Sequence, residues 1–209
     1  VVTCAKRDLR ARYKQTVLGV GWTVIQPLVF LTVFVVFFGR VAGFEDDTQS
    51  YAAFALSALV AWQYNAAIVS GASSALASES AVLRKVYFAR LAPVVSRVLS
   101  SLPPIVVGVV LMIVLAPVVD GRLTIHLFWI PLLVLLLALP ALAVAIPLSA
   151  LGIWFRDFAA LVPFFLQIWL FSSPVAYPAT TIESNRLLYA FLNPSVGAID
   201  GFRRVYVEG

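Results

Sequence analysis

Five long apolar runs, separated by short polar or charged connections, make up most of the chain. They extend from about Trp22 to Ala42, Tyr51 to Leu76, Val94 to Val119, Leu127 to Phe155 and Phe158 to Tyr177. A helix needs roughly 20 apolar residues to cross the hydrocarbon of a bilayer, so the pattern predicts five spanning helices. The run from Tyr51 is the least apolar of them. Only Arg156 and Asp157 separate the last two, which predicts a tight hairpin or one re-entrant unit. Ahead of the first run, Ala5, Leu9, Tyr13 and Val17 recur every four residues, with Lys6, Arg7, Arg10 and Lys14 between them. That is the pattern of a basic amphipathic helix lying in the membrane surface. Behind the last run, Leu187–Phe191 and Ser195–Val207 read as two short helices broken at Asn193-Pro194. The expected fold is a single all-α integral membrane domain over residues 1–209. Residues 1–21 form its cytoplasmic interface helix, 22–178 its spans and 187–209 extracytoplasmic re-entrant helices.

Composition excludes the soluble alternative. Of 209 residues, 62% are hydrophobic and 12% charged, about half the charged share of a soluble domain. The net charge of +5 is concentrated in the connections, where it sets orientation and is no sign of a nucleic-acid partner. Lys6, Arg7, Arg10, Arg12, Lys14, Arg84, Lys85, Arg90, Arg97 and Arg156 fall on one side of the expected spans. Arg40, Arg122, Arg186, Arg203 and Arg204 fall on the other. The twofold excess places the N-terminus in the cytoplasm, with Arg203 and Arg204 running against the trend. Five spans leave the far end outside, so a sixth span is expected beyond Gly209 in a longer chain.

The chemistry-bearing residues narrow the function. No charged residue lies in 15–39, 48–78, 98–119, 127–155 or 158–182. Ion-coupled transporters place a titratable or anionic group inside the bilayer. Without one, energy for uphill transport must arrive from outside the spans. No G-x-x-x-x-G-K-[ST] phosphate loop is present, so no nucleotide site is expected in this chain. The single Cys4 supports neither a disulfide framework nor a cysteine metal site, and no cofactor or metal is expected. A membrane glycosyl- or acyltransferase needs paired carboxylates or a histidine for acid–base work. Only His126 and the Arg156-flanked Asp157 are offered for it.

Three further patterns stand out. Trp62, Tyr64 and Asn65, with Gln63 among them, are candidate channel-lining residues, because aromatic rings suit the apolar faces of sugars. The alternative is hydrogen bonding between helices. Ala67, Gly71 and Ala75 recur at four-residue spacing, which permits close helix approach. In the Glu79–Arg90 connection, Val86, Tyr87 and Phe88 lie beside Arg84, Lys85 and Arg90. That arrangement suits docking of another protein or a surface helix with snorkelling cations. Pro27, Pro103, Pro104, Pro131, Pro140, Pro147, Pro163 and Pro174 all fall within expected spans, where each removes a backbone donor and favours a kink.

Four blocks, in order, resemble the membrane subunits of ABC-2 exporters, within them the polysaccharide-export branch for O-antigen, capsule and teichoic acid. They are Arg7-Asp-Leu-Arg-Ala-Arg-Tyr13 continuing to Trp22 and Gln26-Pro-Leu28; Leu83-Arg-Lys-Val-Tyr-Phe-Ala-Arg90; Phe155-Arg-Asp157 through Pro163 to Pro178; and Leu192-Asn-Pro194 with Gly201-Phe-Arg203. Ala89 stands where the family commonly has proline. The resemblance implies a permease subunit, not an enzyme, working as a homodimer in the bacterial cytoplasmic (inner) membrane. It implies two copies of a separate ABC ATPase subunit that bind ATP and Mg, and a lipid-linked polysaccharide as cargo. Carried over by position, Arg84, Lys85, Val86, Tyr87, Phe88 and Arg90 would contact the ATPase. Arg7, Asp8, Arg10, Tyr13 and Trp22 would form the cytoplasmic gate where the lipid carrier enters. An ABC-2 permease for a drug or small lipid, and a membrane glycosyl- or acyltransferase, remain the alternatives.

Overall fold

The least apolar run forms the middle of the bundle. The structure, a computed structural model, describes residues 21–41, 48–78, 91–119, 121, 124–154, 157–177, 189 and 193–208. Its α-helices are α1 (Gly21–Phe34, continued by a wider π-helical stretch, Val35–Val41), α2 (Thr48–Ser73), α3 (Ala75–Ser78), α4 (Ala92–Ser100), α5 (Leu102–Leu115), α6 (Ile130–Trp154), α7 (Asp157–Ser172) and α8 (Val196–Arg203). A 3-10 turn, Ile125–Trp129, leads into α6, and a π-helical turn, Arg204–Glu208, follows α8. There are no strands among the described residues.

Helical stretches Gly21–Gly39, Tyr51–Ser73, Ala92–Leu115 and Ile125–Trp154 are long and apolar enough to cross a membrane. Of the second, 78% is buried within the bundle, against 17%, 33% and 22% of the others. A helix that faces lipid must be apolar around most of its circumference. One enclosed by protein can carry the polar groups that lipid would penalise. That is why Ser57, Asn65 and Ser73 sit on α2 and are buried there, while Val106, Val110 and Val114 of α5 and Leu135 and Leu139 of α6 remain exposed.

Small residues bring α2 and α6 together, as expected where helices gain little hydrophobic drive from association. Ala72 and Ala75 share a buried cluster with Ala145 of α6, and a Cβ on Gly152 would come within 3.3 Å of the Ser73 carbonyl oxygen. The expected stripe Ala67, Gly71 and Ala75 does not act as a unit. Ala75 packs in this cluster, Ala67 faces a cavity, and the place of a Gly71 Cβ is occupied by the Arg97 stem, 3.3 Å away at Cδ. Arg97, expected in the connection between the second and third spans, lies within α4, inside the apolar helical stretch.

The fifth expected span differs. Its apolar helix is shorter than a spanning length, Ala160–Ser172, and α7 as a whole has 16 residues. At 1.5 Å per residue that is about 24 Å, short of a hydrocarbon layer of about 30 Å. The cause is local. Pro174 restricts the residue before it away from helical angles, so the run stops at Ser172-Ser173. Pro27, Pro140, Pro147 and Pro163 do lie inside helices. Pro103 and Pro104 sit instead in the first turn of α5, just after the break at Ser101, where their missing donors cost least. The expected helix over residues 1–21 lies outside the described residues apart from Gly21, which opens α1, as does Leu187–Phe191 apart from Tyr189. The second short helix is present as α8.

Candidate functional site

A cavity of about 620 Å³ opens between α1, α2, α7 and the start of α5. Helix α2 contributes Leu59, Trp62, Gln63, Ala66 and Ala67, the i, i+3, i+4, i+7, i+8 face of one helix. Helix α1 adds Trp22, Thr23, Gln26 and Phe30; α7 adds Pro163, Leu166 and Leu170. None of the described lining residues is ionisable. The wall therefore combines two indole rings with two carboxamides and a hydroxyl, an uncharged surface that offers both stacking faces and hydrogen bonds. The Gln63 Nε2 is itself buried and makes no hydrogen bond within the described structure.

Of the three residues expected to line a channel, Trp62 lines this cavity, its ring edge-on to Trp169 at 5.6 Å and 84°. Tyr64 turns toward α5 and borders a separate void of about 20 Å³ beside Gly108. Asn65 is fully buried, with neither carboxamide atom hydrogen-bonded in the described structure. Trp22 lines the cavity and is half exposed. Arg7, Asp8, Arg10, Tyr13, Arg84, Lys85, Val86, Tyr87, Phe88 and Arg90 lie outside the described residues. Leu59 and Ala66 share the face of Trp62 by helical spacing, whereas Gln63 and Ala67 are not signalled by their spacing from Trp62. Gln26 and the α7 residues carry no such signal, because only tertiary packing brings them to the wall.

Asn65 supplies a direct check on this burial. An unpaired buried amide costs about 1–3 kcal/mol, and leucine has the same branched skeleton without polar atoms, at the cost of two methyls bulkier than the amide they replace. Asn65→Leu should therefore raise the thermal unfolding midpoint of the protein in detergent. A clear fall would show that the amide has a partner in the membrane.

A second polar cluster surrounds the chain where it leaves α7. Asn193 accepts from Trp169 Nε1 at 3.0 Å and donates to Ser173 Oγ at 2.9 Å. The Tyr189 hydroxyl donates to the Ser172 carbonyl at 2.6 Å, and Tyr51 donates to that of Ala176 at 3.1 Å. Burial first, and then the adjacent Tyr177 hydroxyl, hold the Tyr189 phenol well above its ordinary pKa, so it stays a neutral donor. Arg203 donates to the Pro174 carbonyl and lies over the Phe54 ring, 3.5 Å from its centroid. Asp200 stands 3.8 Å from Arg203 and 3.1 Å from Arg204. The two arginines that ran against the charge asymmetry are thus paired with one carboxylate, and Arg203 is only 5% exposed.

Apolar spanning helices around a neutral cavity define a multi-pass membrane protein of the transporter class. The ABC-2 type transporter family matches residues 1–207, and the chain belongs to that family. It is similar to the O-antigen export system permease protein RfbA of Myxococcus xanthus, with 30% identity over 210 aligned residues covering 100% of this chain and 80% of that protein. Two proteins of the same description from Klebsiella pneumoniae are 23% and 22% identical, with the same coverage. ABC-2 permeases are non-catalytic membrane subunits that generally pair with ABC ATPase subunits, in which ATP binding resides.

Proposed function

We propose that this chain is the permease subunit of an ATP-driven exporter carrying a lipid-linked polysaccharide across the bacterial cytoplasmic membrane. The observation that carries the reading is the cavity wall of tryptophan rings and carboxamides. A glycan presents hydroxyls for amides and apolar ring faces for indoles. A cationic drug would gain from a carboxylate in the wall, and the described lining has none. The permeases it resembles are described as O-antigen exporters, which supports the same cargo class.

In this reading the N-terminus is cytoplasmic, and two copies of the chain pair with two copies of the ATPase. Arg84, Lys85, Val86, Tyr87, Phe88 and Arg90 form the contact with the motor. Arg7, Asp8, Arg10, Tyr13 and Trp22 border the entrance for the lipid carrier. ATP and magnesium stay with the partner; this chain supplies the conduit and the movement of its helices. Within the conduit, Trp62 and Trp22 offer stacking faces while Gln26 and Gln63 exchange hydrogen bonds with successive hydroxyls. A polymer slides because no single contact is charged or strong.

The test is ATP-dependent delivery of the polymer in proteoliposomes holding the chain and its ATPase. Reversing the charges of Arg84, Lys85 and Arg90 places like charges against a surface matched to cations, at a cost of several kcal/mol. ATPase co-purification and export should then fall by roughly tenfold or more, with membrane insertion unchanged. Trp62→Ala should lower export while leaving ATPase association intact. Normal coupling in the charge-reversed protein would sink the assignment of the Glu79–Arg90 connection as the motor contact.

A further inference from the structure

The helix α7 breaks at Ser172-Ser173, which leaves the carbonyls of its last turn and of the following residues without helical partners. Such backbone persists only where protein satisfies it. Here Ser173 and Val175 are fully buried and Ala176 nearly so. The carbonyls of Ser172, Pro174 and Ala176 are taken by Tyr189, Arg203 and Tyr51. The segment is therefore held closed by side chains from α2 and from the chain around α8. Closure of this kind depends on discrete hydrogen bonds, which can be released one at a time, unlike a continuous helical ladder.

One side chain in the collar also reaches the cavity wall. Asn193 uses both ends of a buried carboxamide, with Trp169 Nε1 on its oxygen and Ser173 Oγ on its nitrogen. The Trp169 ring in turn packs edge-on against Trp62, which lines the cavity, and against Phe165 at 5.4 Å. A guest seated on Trp62 therefore presses on the ring whose N–H orients Asn193. Rotation of Trp169 would break its bond to Asn193 and leave the carboxamide oriented only through its nitrogen, by Ser173 Oγ and, at 3.4 Å, the Ser172 carbonyl, which loosens its hold on the segment.

We propose that Asn193 is a positioning residue that couples occupancy of the cavity to closure of the buried segment 173–176, with the Trp169 N–H as the trigger. The inference rests on the reading that cargo occupies this cavity, and on the orientation that puts this end of the bundle outside.

The experiment uses the whole protein with its ATPase in sealed proteoliposomes of known orientation, carrying Val175→Cys as reporter. Val175 takes no part in the side-chain hydrogen bonds. An impermeant maleimide added on the side opposite the ATPase reads opening of the segment, since labelling rate follows the open population. Without cargo, the parent should label slowly. Trp169→Phe, which keeps an aromatic ring but deletes the N–H together with part of the indole, and Asn193→Ala should each raise the rate by roughly tenfold, as expected for one lost buried hydrogen bond. The double variant should go no further than either single one. Loading the lipid-linked polymer should raise the rate in the parent and leave Trp169→Phe unchanged. Equal labelling of the parent and Trp169→Phe would overturn the proposal, and so would additive single effects or a parent indifferent to bound polymer. If Asn193→Ala does not insert, Trp169→Phe alone decides. Labelling that responds to the Trp169 and Asn193 variants only from the ATPase side would instead overturn the orientation. The same response with a different cargo opening the segment would overturn the polysaccharide reading and leave the coupling standing.

Discussion

Replacing Arg203 with alanine should cost about 4 kcal/mol of stability, because it empties a site where a buried cation meets three partners. The guanidinium is buried, donates to the Pro174 carbonyl, covers the Phe54 ring and lies 3.8 Å from Asp200. The partners contribute unequally. Asp200 keeps Arg204 at 3.1 Å, so its charge is not orphaned by the change. The Pro174 carbonyl and the Phe54 face lose their only described cation. A charge-assisted hydrogen bond contributes about 1.5–3 kcal/mol and a desolvated cation–π contact about 2. Arg203→Met keeps the volume and removes the burden of a buried charge, so it should cost about 2 kcal/mol. Arg203→Lys retains the charge but not the planar group that covers the ring while reaching the carbonyl, and it should resemble methionine more than the parent. Phe54→Leu should cost about 1 kcal/mol in the parent and close to nothing beside Arg203→Met. The measurement is unfolding in mixed micelles followed by tryptophan fluorescence. Full rescue by lysine would show that charge alone holds the site and that the ring stacking is incidental.

The same residue shows why charge counts along a sequence mislead in one place. By position along the chain, Arg203 and Arg204 count against the orientation that the other cations indicate. A topology count assumes that each cation is exposed to the translocation machinery or to lipid head groups. Arg203 is enclosed by α2 and the end of α7, and nothing at the sequence level links it to Phe54 or Pro174. Their distance along the chain hides the pairing.

Other features were legible because they follow from local physics. The apolar runs gave four spanning helices, since length and hydrophobicity alone decide whether a helix suits a bilayer. The short α7 was within reach too: Ser172-Ser173-Pro174 is a stop signal inside an apolar run, and it shortens the helix although the run itself continues to Tyr177. Tyr51–Ser73 was visibly the least apolar, and its central position explains that property. The Trp62 cluster pointed to the cavity, but adjacent residues on a helix project about 100° apart. The cavity-facing stripe is centred between Leu59, Gln63 and Ala66, with Trp62 at its edge, so Tyr64 and Asn65 fall outside it. The contributions of α1 and α7 required the packing of the bundle.

Enlarging Gly108 should have the largest effect of any single change within the spans. A Cβ there would stand 2.8 Å from Val60 Cγ1 and 3.2 Å from Cγ2, so both methyls of one α2 side chain block it. Valine is stiff at χ1 and cannot swing both methyls away. The void beside it, about 20 Å³, has room for a single water but not for a displaced isopropyl group. The helices themselves must separate, and α2 is gripped on its other faces by α1, α6 and α8. Gly108→Ala should therefore cost about 2 kcal/mol, within the range for overpacked cores. Gly108→Leu should prevent recovery of a folded monodisperse protein. The cause is separable from any effect of side-chain chemistry at 108. Val60→Ala opens the space that the new methyl needs, so Gly108→Ala with Val60→Ala should be more stable than the sum of the single changes predicts, by about 1–2 kcal/mol. Strict additivity of the two would mean that the α2–α5 contact is looser than 2.8 Å implies. Coupling of that size, read from the same unfolding assay, would show that the bundle is closed around α2 by direct contact at this glycine.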